Sequence, residues 1–369
     1  MTTPLRVAVN MTWCIPAGVG GSEEYLVRQI LGLNSADIEP TLYVPSGFSG
    51  AHPELRERFT LIETDSDGTS RARRILSEST WLFRRTAGHS LVHHGGGTVP
   101  TIHRSPTLLT VHDLQYRAFP EYFSRQKLAY LRAMMPRSAR RATAIAVPTE
   151  FVKSTVCEAY DIPDERVHVV PHGVEPRLGH DATPEAELRA KYSLGDAPFV
   201  VFPAMTHPHK GHAFLLDVME RHWAARGVRL VLIGGHGAAE ADIARRLLHS
   251  TLSMSVSRLG RVSAADRDGL IRASTALVFP SEYEGFGAPL IEAMALGAPV
   301  LCSDRACLPE VAGTAGLVVP LDVDEWGRAL DALDARRPQL IEAGRERVSD
   351  FTAAISGAAL TRAYRSTVR

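Results

Sequence analysis

Two glutamates, Glu284 and Glu292, stand eight positions apart within residues 279–297. The glycines beside Glu284 would let the backbone approach a ligand closely, since glycine has no Cβ. Pro289 suits the first turn of a helix, whose free N–H groups attract phosphate. Glu284 would lie in the loop and Glu292 in the helix, which suits a ligand with hydroxyl groups at both ends and phosphates between them. The alternative is a solvated loop glutamate and a helix-surface glutamate.

Lys210 is a second candidate, because it lies in a loop directly after a predicted strand. Its ammonium is a point charge that could stabilise negative charge on a departing diphosphate. The alternative is an ordinary solvated lysine.

The glycine run Gly18-Val19-Gly20-Gly21 follows the first predicted strand and opens a predicted helix. A complete Gly-x-Gly-x-x-Gly dinucleotide motif would need glycine at position 23, where the chain has Glu23. A nicotinamide dehydrogenase is therefore disfavoured, and a tight strand-to-helix turn is the alternative to a phosphate-binding loop.

His112 and Asp113 stand at the carboxyl end of a predicted strand, where open α/β sheets place functional groups. A lone histidine is more often a satisfied structural residue. Asp113 could orient His112, or it could simply cap the following turn.

These residues need a framework of strands and helices to position them. Short apolar runs between helical stretches predict buried parallel strands at residues 5–9, 41–44, 91–93, 107–111, 144–147, 199–203, 229–233, 258–260, 276–279 and 299–302. Helices are predicted at residues 21–33, 124–141, 150–160, 213–223, 240–249, 264–273, 289–295 and 324–332, with a helix-compatible stretch at 351–369. This alternation predicts an α/β protein with a doubly wound sheet in each half.

The length and composition of the chain limit the number of domains and the classes of protein to which it can belong. The 369 residues suggest two domains, which we place at residues 1–172, with 351–369 packing back onto them, and 173–350. The ordinary globular composition excludes a mainly disordered or coiled-coil chain. Lys plus Arg and Asp plus Glu both number 41, so the chain as a whole does not indicate a nucleic-acid partner. Four scattered cysteines show no zinc spacing, and no apolar run approaches a membrane span, so we expect a cytoplasmic protein.

The zero net charge hides a basic stretch, since residues 71–141 contain 13 Lys/Arg and only three acidic residues. One interpretation is an anionic acceptor, or peripheral contact with the inner face of a membrane. The other is a solvated basic face with Trp81 and Phe83 in the core.

The motif around the two glutamates, Glu-Gly-Phe-Gly-Ala-Pro-Leu-Ile-Glu, resembles the donor-site motif of the retaining nucleotide-sugar glycosyltransferases of family GT4, which have the GT-B fold, and the sub-branch resembled is mannosyltransferase-like. The resemblance covers most of the chain, and its other segments begin at Gly18, Thr110, Pro120, Val147, Val170, His209, Ile233 and Leu259. It implies two Rossmann-like domains with a cleft between them, the first for the acceptor and the second for the donor.

The resemblance also implies roles for single residues. His112, Lys210 and Glu284 would be catalytic, with Asp113 on the acceptor side, and the donor would be bound by Gly20, Gly21, Lys210, Arg261, Val262, Glu284, Gly285, Phe286, Gly287, Leu290 and Glu292. Many family members carry arginine five positions before the lysine, where this chain has Met205. Thr206, His207 or His209 are candidates for the missing phosphate contact.

The expected function is transfer of a hexosyl group from a nucleotide diphosphate sugar, of the GDP-mannose or UDP-sugar type, to a hydroxyl of a glycan, lipid-linked or natural-product acceptor. The family implies retention of anomeric configuration. No cofactor and no metal are expected, since no acidic metal-binding pair lies near these motifs. The alternatives are an epimerase or phosphorylase of the same fold, and a non-catalytic sugar-nucleotide binding protein.

Overall fold

The computed structural model describes residues 3–15, 21–248 and 251–369. The chain divides into two compact units, Met1–Gly173 with Thr352–Arg369 and Val174–Phe351. Both junctions lie one residue later than the sequence indicated.

The first unit contains a sheet of seven strands, in which every neighbouring pair is parallel. The strands are β1 (Leu5–Asn10), β2 (Ile38–Val44), β3 (Thr60–Glu63), β4 (Leu91–His94), β5 (Thr107–Thr110), β6 (Ala144–Val147) and β7 (Val167–Val169). Their order in the sheet is β3-β2-β1-β4-β5-β6-β7.

Within the described residues of this unit, eight α-helices precede the second unit: α1 (Gly21–Leu31), α2 (Phe48–Ala51), α3 (Pro53–Arg58), α4 (Arg71–Ser77), α5 (Phe83–Arg85), α6 (Gln115–Ala118), α7 (Arg125–Arg141) and α8 (Glu150–Tyr160). A π-helical turn, Glu78–Leu82, joins α4 to α5. Side chains of Ser124 and Thr149 accept hydrogen bonds from backbone N–H groups at the starts of α7 and α8, which fixes where these two helices begin.

The second unit has a parallel sheet of six strands: β8 (Phe199–Pro203), β9 (Arg229–Ile233), β10 (Val256–Gly260), β11 (Ala276–Phe279), β12 (Val300–Ser303) and β13 (Gly316–Val319). Their order is β10-β9-β8-β11-β12-β13. Its helices are α9 (Glu185–Lys191), α10 (His212–Val218), α11 (Glu240–Leu248), α12 (Ala264–Ala273), α13 (Ala288–Ala295), α14 (Leu308–Ala312), α15 (Val323–Ala335) and α16 (Arg337–Val348). A π-helical turn, Met219–Trp223, extends α10.

The last helix, α17 (Ala353–Thr367), returns to the first unit and packs against α1. The two backbones meet at glycines: an ideal Cβ on Gly357 would lie 2.0 Å from the Gly32 carbonyl oxygen. The Tyr364 hydroxyl on α17 is 2.8 Å from Nδ1 of the buried His93 on β4. Close backbone packing and a buried hydrogen bond therefore hold the C-terminus to the first sheet.

In each unit the direction of winding reverses once, between β1 and β4 in the first sheet and between β8 and β11 in the second. Open parallel sheets bind ligands beyond the carboxyl ends of the strands at such a reversal. The predicted α/β class, with a Rossmann-like sheet in each half, is confirmed.

Candidate active site

The loops that follow β8 and β11 lie side by side in the second unit, since these strands are neighbours in the sheet. The Glu282 amide donates a hydrogen bond of 2.8 Å to the His209 carbonyl oxygen. Gly211 has φ +79°, and an ideal Cβ there would lie 2.5 Å from the Pro280 carbonyl oxygen. Only glycine permits this approach, so the backbone itself fixes the distance between the two loops.

Lys210 and Glu284, one from each loop, form an ion pair. The Lys210 Nζ donates to the Glu284 Oε1 at 2.5 Å, and the two side chains are only 19% and 13% exposed. The Nζ also lies 5.7 Å from the centre of the Phe279 ring. Because water has little access, the attraction within this pair is screened less than at an open surface. A phosphate reaching this place would share the ammonium with the carboxylate.

The loop after β11 ends at Gly287, whose φ of +83° requires glycine, and α13 begins at the next residue. Pro289 lies in the first turn, as predicted, and no side chain caps this helix start. The positive end of the helix dipole is therefore available to an anion.

Three further predicted donor contacts, Gly285, Phe286 and Leu290, belong to the same loop and helix. The Phe286 side chain is 3% exposed and packs edge-on against Phe351, with 5.5 Å between ring centres. The Leu290 side chain is fully buried. For Phe286 and Leu290, a ligand could therefore meet backbone atoms but not side chains.

Glu292 lies on α13 and is 7% exposed. Burial alone would lower the pKa of Arg267 on α12, but the carboxylates of Glu292 and Asp268 outweigh it and raise that pKa. Asp268 accepts from Arg267 Nε at 3.0 Å and from Nη2 at 2.9 Å. The Arg267 guanidinium, which Asp268 holds by two hydrogen bonds, is therefore close enough to the buried Glu292 carboxylate to attract it electrostatically.

Sequence reasoning missed Arg267, because an Arg-Asp dipeptide within a predicted helix looks like solvated surface. A cavity of about 300 Å³ adjoins it, lined by Glu175, Arg177, Leu178, Asp181, Ala264, Ala265, Arg267 and Asp268. The lining is largely polar and belongs wholly to the second unit.

The loop after β8 also carries Met205, at the position where the family resemblance led us to expect arginine, and its side chain is 38% exposed. The Thr206 hydroxyl donates to Glu240 Oε2 at 2.8 Å and accepts from the Gly237 amide at 2.7 Å. Its proton is already engaged, so Thr206 holds the loop after β9 and is not placed to donate to a phosphate.

The rings of His207 and His209 are nearly parallel, with 5.8 Å between their centres. Burial, together with the nearby positive charge of Lys210, lowers the pKa of His209 to about 3. His209 is therefore neutral at pH 7 and would offer a phosphate a hydrogen bond at most, without a charge.

Arg261 and Val262 directly follow β10. An ideal Cβ on Gly235 would lie 3.0 Å from Arg261 Nε, so the exposed guanidinium lies over the glycine of the loop after β9. Val262 is half-buried. Both residues follow the carboxyl end of a strand of the second sheet, as Lys210 and Glu284 do.

In the first unit, His112 follows β5 and its Nε2 is 2.9 Å from the Gly95 carbonyl oxygen. Burial lowers the pKa of His112, although the Gly95 carbonyl and the Asp113 carboxylate oppose that effect. The ring is therefore neutral at pH 7, and because a carbonyl can only accept, Nε2 carries the proton and Nδ1 the lone pair. The Asp113 carboxylate accepts from the Gln115 amide at 2.9 Å and so caps the turn that follows.

Of the predicted glycine pair, Gly20 lies outside the described residues. Gly21 is the first residue of α1 and is exposed.

A buried polar cluster, which the sequence did not reveal, occupies the ends of β1 and β4. Glu78 accepts from Asn10 Nδ2 and Thr12 Oγ1, each at 3.1 Å, and Asn10 Nδ2 is also 3.1 Å from His94 Nδ1. Burial raises the pKa of Glu78, although Arg74 opposes this rise. Glu78 comes from the π-helical turn, a feature often found at functional sites.

The basic stretch of residues 71–141 gives the first unit an excess of positive side chains, most of which are exposed. Across the part of the chain that the structure describes, the only carboxylate within 4 Å of its arginines and lysine is Glu78, beside Arg74. Trp81 and Phe83 are half-buried and not fully in the core. Trp81 packs edge-on against Tyr43, and Arg104 lies over the Phe83 ring at 4.3 Å.

Within residues 3–15, 21–248 and 251–369, no three His, Cys, Asp or Glu side chains are grouped so that they could hold a metal ion. No helix in the same ranges has the length and apolar character needed to cross a membrane.

Comparison with known families agrees with this arrangement. Residues 19–178 match the family model described as Glycosyltransferase Family 4, and residues 197–335 match the one described as Glycosyl transferases group 1. The chain belongs to the family 4 glycosyltransferases. The two matches fall one on each half of the chain and together take in most of it.

Among relatives of this chain, the O-antigen chain mannosyltransferase B of Escherichia coli is 29% identical over 63% of this chain and 62% of its own length. The MMP alpha-(1->4)-mannosyltransferase of Mycolicibacterium hassiacum is 30% identical over 54% of this chain and 48% of its own length. The chain thus spans about half to three fifths of these two relatives.

The structure of Anabaena Alr3699/HepE in complex with UDP and glucose superposes with a TM-score of 0.76 at 16% identity, covering 98% of this chain and 100% of that one. The likeness confirms the predicted GT-B fold.

Proposed function

We propose that this chain transfers a hexosyl group from a nucleotide diphosphate sugar to an acceptor hydroxyl, with retention at the anomeric carbon and without a metal ion. The observation that carries the proposal is the Lys210–Glu284 ion pair on adjacent loops at the winding reversal of the second sheet. The Lys210 ammonium, a cation for the phosphates, is hydrogen-bonded to the Glu284 carboxylate, an acceptor for the sugar hydroxyls. Family membership supports the same reaction.

The leaving group is the nucleotide diphosphate, on which negative charge builds as the glycosyl bond breaks. The Lys210 ammonium and the uncapped start of α13 would stabilise that charge. Because Lys210 and Glu284 are mostly buried, these interactions act in a medium that screens them weakly. The freed carboxylate of Glu284 would then accept hydrogen bonds from the sugar hydroxyls and hold the anomeric carbon in place.

The nucleoside end would bind along α13 and α12. Glu292 would accept from the ribose hydroxyls, and Arg267 would balance its charge and hold its orientation. The cavity of about 300 Å³ beside Arg267 would take the base, and the backbone of Arg261 and Val262 would contact the same base. Relatives named as mannosyltransferases favour a donor of the GDP-mannose type. The HepE complex contains UDP, so a UDP-sugar is the second candidate donor.

The first unit would serve the acceptor. The neutral His112 offers the Nδ1 lone pair to a hydroxyl group. The positive surface of residues 71–141 favours acceptors that carry negative charge, including lipid-linked glycans at a membrane surface.

The test is turnover of GDP-mannose, UDP-glucose and dTDP-glucose in the presence of mannose-terminated glycans and lipid-linked acceptors, followed by release of the nucleotide diphosphate. We expect acceptor-dependent release with one donor, and its loss in Lys210→Ala and in Glu284→Ala. The matched controls are Lys153→Ala, a lysine that is 18% exposed and pairs with an exposed aspartate, and Glu342→Ala, which breaks an exposed ion pair; neither residue belongs to these loops. Release that does not need an acceptor, or that survives both site substitutions, would contradict the proposal.

A further inference from the structure

A second cavity lies on the first unit, between α6 and α7. Its volume is about 290 Å³, and it is lined by Tyr116, Arg117, Arg132 and Pro136. This volume is near the lower end of the range for small-molecule sites, about 300–1,000 Å³. Two of its four lining residues are arginines, and none is acidic.

Arg117 is held in place by its neighbours. Its Nη1 donates to the Ala159 carbonyl oxygen at 3.4 Å, and its Cζ lies 5.8 Å from the centre of the Tyr160 ring. The Tyr160 hydroxyl is in turn 2.6 Å from the hydroxyl of Tyr116, which is almost fully buried. The Ala159 carbonyl and the Tyr160 ring thus orient the Arg117 guanidinium, and most of its five N–H groups remain for a ligand.

Arg132 approaches from the other wall, on α7. It is exposed, and Pro136 one turn later lines the same cavity. No carboxylate of the described ranges lies within 4 Å of Arg117 or Arg132, in a stretch where 13 basic residues face three acidic ones. Two like charges across a small cavity repel each other unless an anion lies between them.

We infer that this cavity binds a phosphate group, with the guanidinium groups of Arg117 and Arg132 as its two anchors. A planar guanidinium can donate two parallel hydrogen bonds to two oxygens of one phosphate, which an ammonium group cannot do with the same geometry. The surrounding positive field would concentrate anions at the cavity mouth. The Tyr116 ring and Pro136 supply apolar walls for the carbon atoms attached to the phosphate. Arg117 and Arg132 belong to the basic stretch 71–141, but the site uses none of the residues assigned to the donor or to bond cleavage, so phosphate binding can be measured separately from sugar transfer.

The phosphate could belong to a free phosphorylated compound or to a lipid headgroup, and two probes separate these sources. The first is inorganic phosphate, titrated at low ionic strength by calorimetry. The second is co-sedimentation with vesicles of phosphatidylcholine, with and without phosphatidylglycerol. The full-length chain is compared with Arg132→Gln, Arg117→Gln and a control, Arg140→Gln, which makes the same charge change on the same helix outside the cavity.

Arg132→Gln is the decisive variant, since Arg132 is exposed and its loss leaves the fold intact, whereas Arg117 also contacts α8. We expect Arg132→Gln to weaken phosphate binding about tenfold and Arg140→Gln to change it less than about twofold. Binding of inorganic phosphate with this pattern supports the site and assigns it to free phosphorylated compounds. The same pattern seen only with phosphatidylglycerol vesicles supports the site and assigns it to lipid. Binding of neither probe, or equal weakening by Arg140→Gln, overturns the inference.

Discussion

Glu284→Gln should separate the two functions of the Lys210–Glu284 pair. The substitution keeps the size and one acceptor oxygen but removes the charge that occupies the Lys210 ammonium at 2.5 Å. An arriving nucleotide diphosphate then no longer competes with a carboxylate. The reacting sugar, however, loses its charged hydrogen-bond acceptor.

The size of the effect follows from the geometry. Two unit charges about 3 Å apart at an effective dielectric constant of about 20 attract by roughly 5 kcal/mol. Desolvation offsets much of this, and a hydrogen bond between charged groups contributes about 1.5–3 kcal/mol net. If the diphosphate recovers about half of that net value, its binding tightens by roughly four- to thirteenfold in Glu284→Gln. Loss of an interaction made in the transition state should slow sugar transfer by about a hundredfold or more.

The assay is calorimetric titration with the nucleotide diphosphate, beside acceptor-dependent transfer measured on the same preparations. Glu342→Gln is the control, because Glu342 is an exposed glutamate of the same unit. Opposite changes in binding and transfer are expected for Glu284→Gln alone. The reasoning is refuted if diphosphate binding weakens, or if transfer stays at the wild-type rate.

Three further outcomes follow from buried groups. Arg267→Gln should weaken nucleotide diphosphate binding about tenfold in calorimetry while circular dichroism stays unchanged, because it removes the cation beside Glu292, the carboxylate that we propose binds the ribose. Unchanged affinity would argue against that role. Burial lowers the pKa of both His93 and His94 to about 3, so between pH 6.5 and 3 the unfolded chain binds protons that the folded chain does not, and stability must fall on acidification. In urea unfolding at pH 7.0 and 5.0, these two histidines should account for a loss of roughly 4 kcal/mol, to which His209 adds with the same sign, and equal stability at both values would refute this. Gly357→Ala should lower the melting temperature by several degrees or prevent folding, since its Cβ would meet the Gly32 carbonyl oxygen at 2.0 Å. The control is Gly88→Ala, where the new Cβ meets no atom within 4 Å, so the melting temperature should fall only by the strain of the positive φ.

The sequence was most informative where strands are buried on both faces. The central strands are continuous apolar runs, and the predictions at 144–147, 199–203, 229–233 and 276–279 coincide with β6, β8, β9 and β11. The strands that the sequence did not predict, β3, β7 and β13, all lie at an edge of a sheet and are only three or four residues long. Edge strands have a neighbour on one side only, and half of β3 is exposed, so their apolar signal is weak.

Helix α16 was also missed, for a related reason. Its sequence is rich in charge, and only Leu340 and Gly344 are buried, so no apolar stripe marks it. By contrast, the predicted helix at 150–160 coincides with α8, where Thr149 caps the start and Val152, Val156 and Tyr160 form a buried face at helical spacing.

For the candidate site, the sequence could place residues at strand ends but could not place side chains against each other. Lys210 and Glu284 were recognised separately, and their ion pair depends on the order of strands in the sheet, which brings β8 next to β11. Arg267 had no local signal at all, because its proximity to Glu292 arises from packing of α12 near α13. The buried Glu78 was likewise hidden, since it reaches Asn10 across 68 positions of the chain.

Titration calorimetry of GDP, UDP and dTDP into the wild-type chain and Lys210→Ala tests the central claim most directly, because it asks whether the loops after β8 and β11 hold a nucleotide diphosphate. We predict that one of the three binds the wild-type chain, and that Lys210→Ala weakens this binding at least about tenfold while unfolding remains cooperative. Absence of binding by all three nucleotides, or equal affinity in Lys210→Ala, would contradict the account.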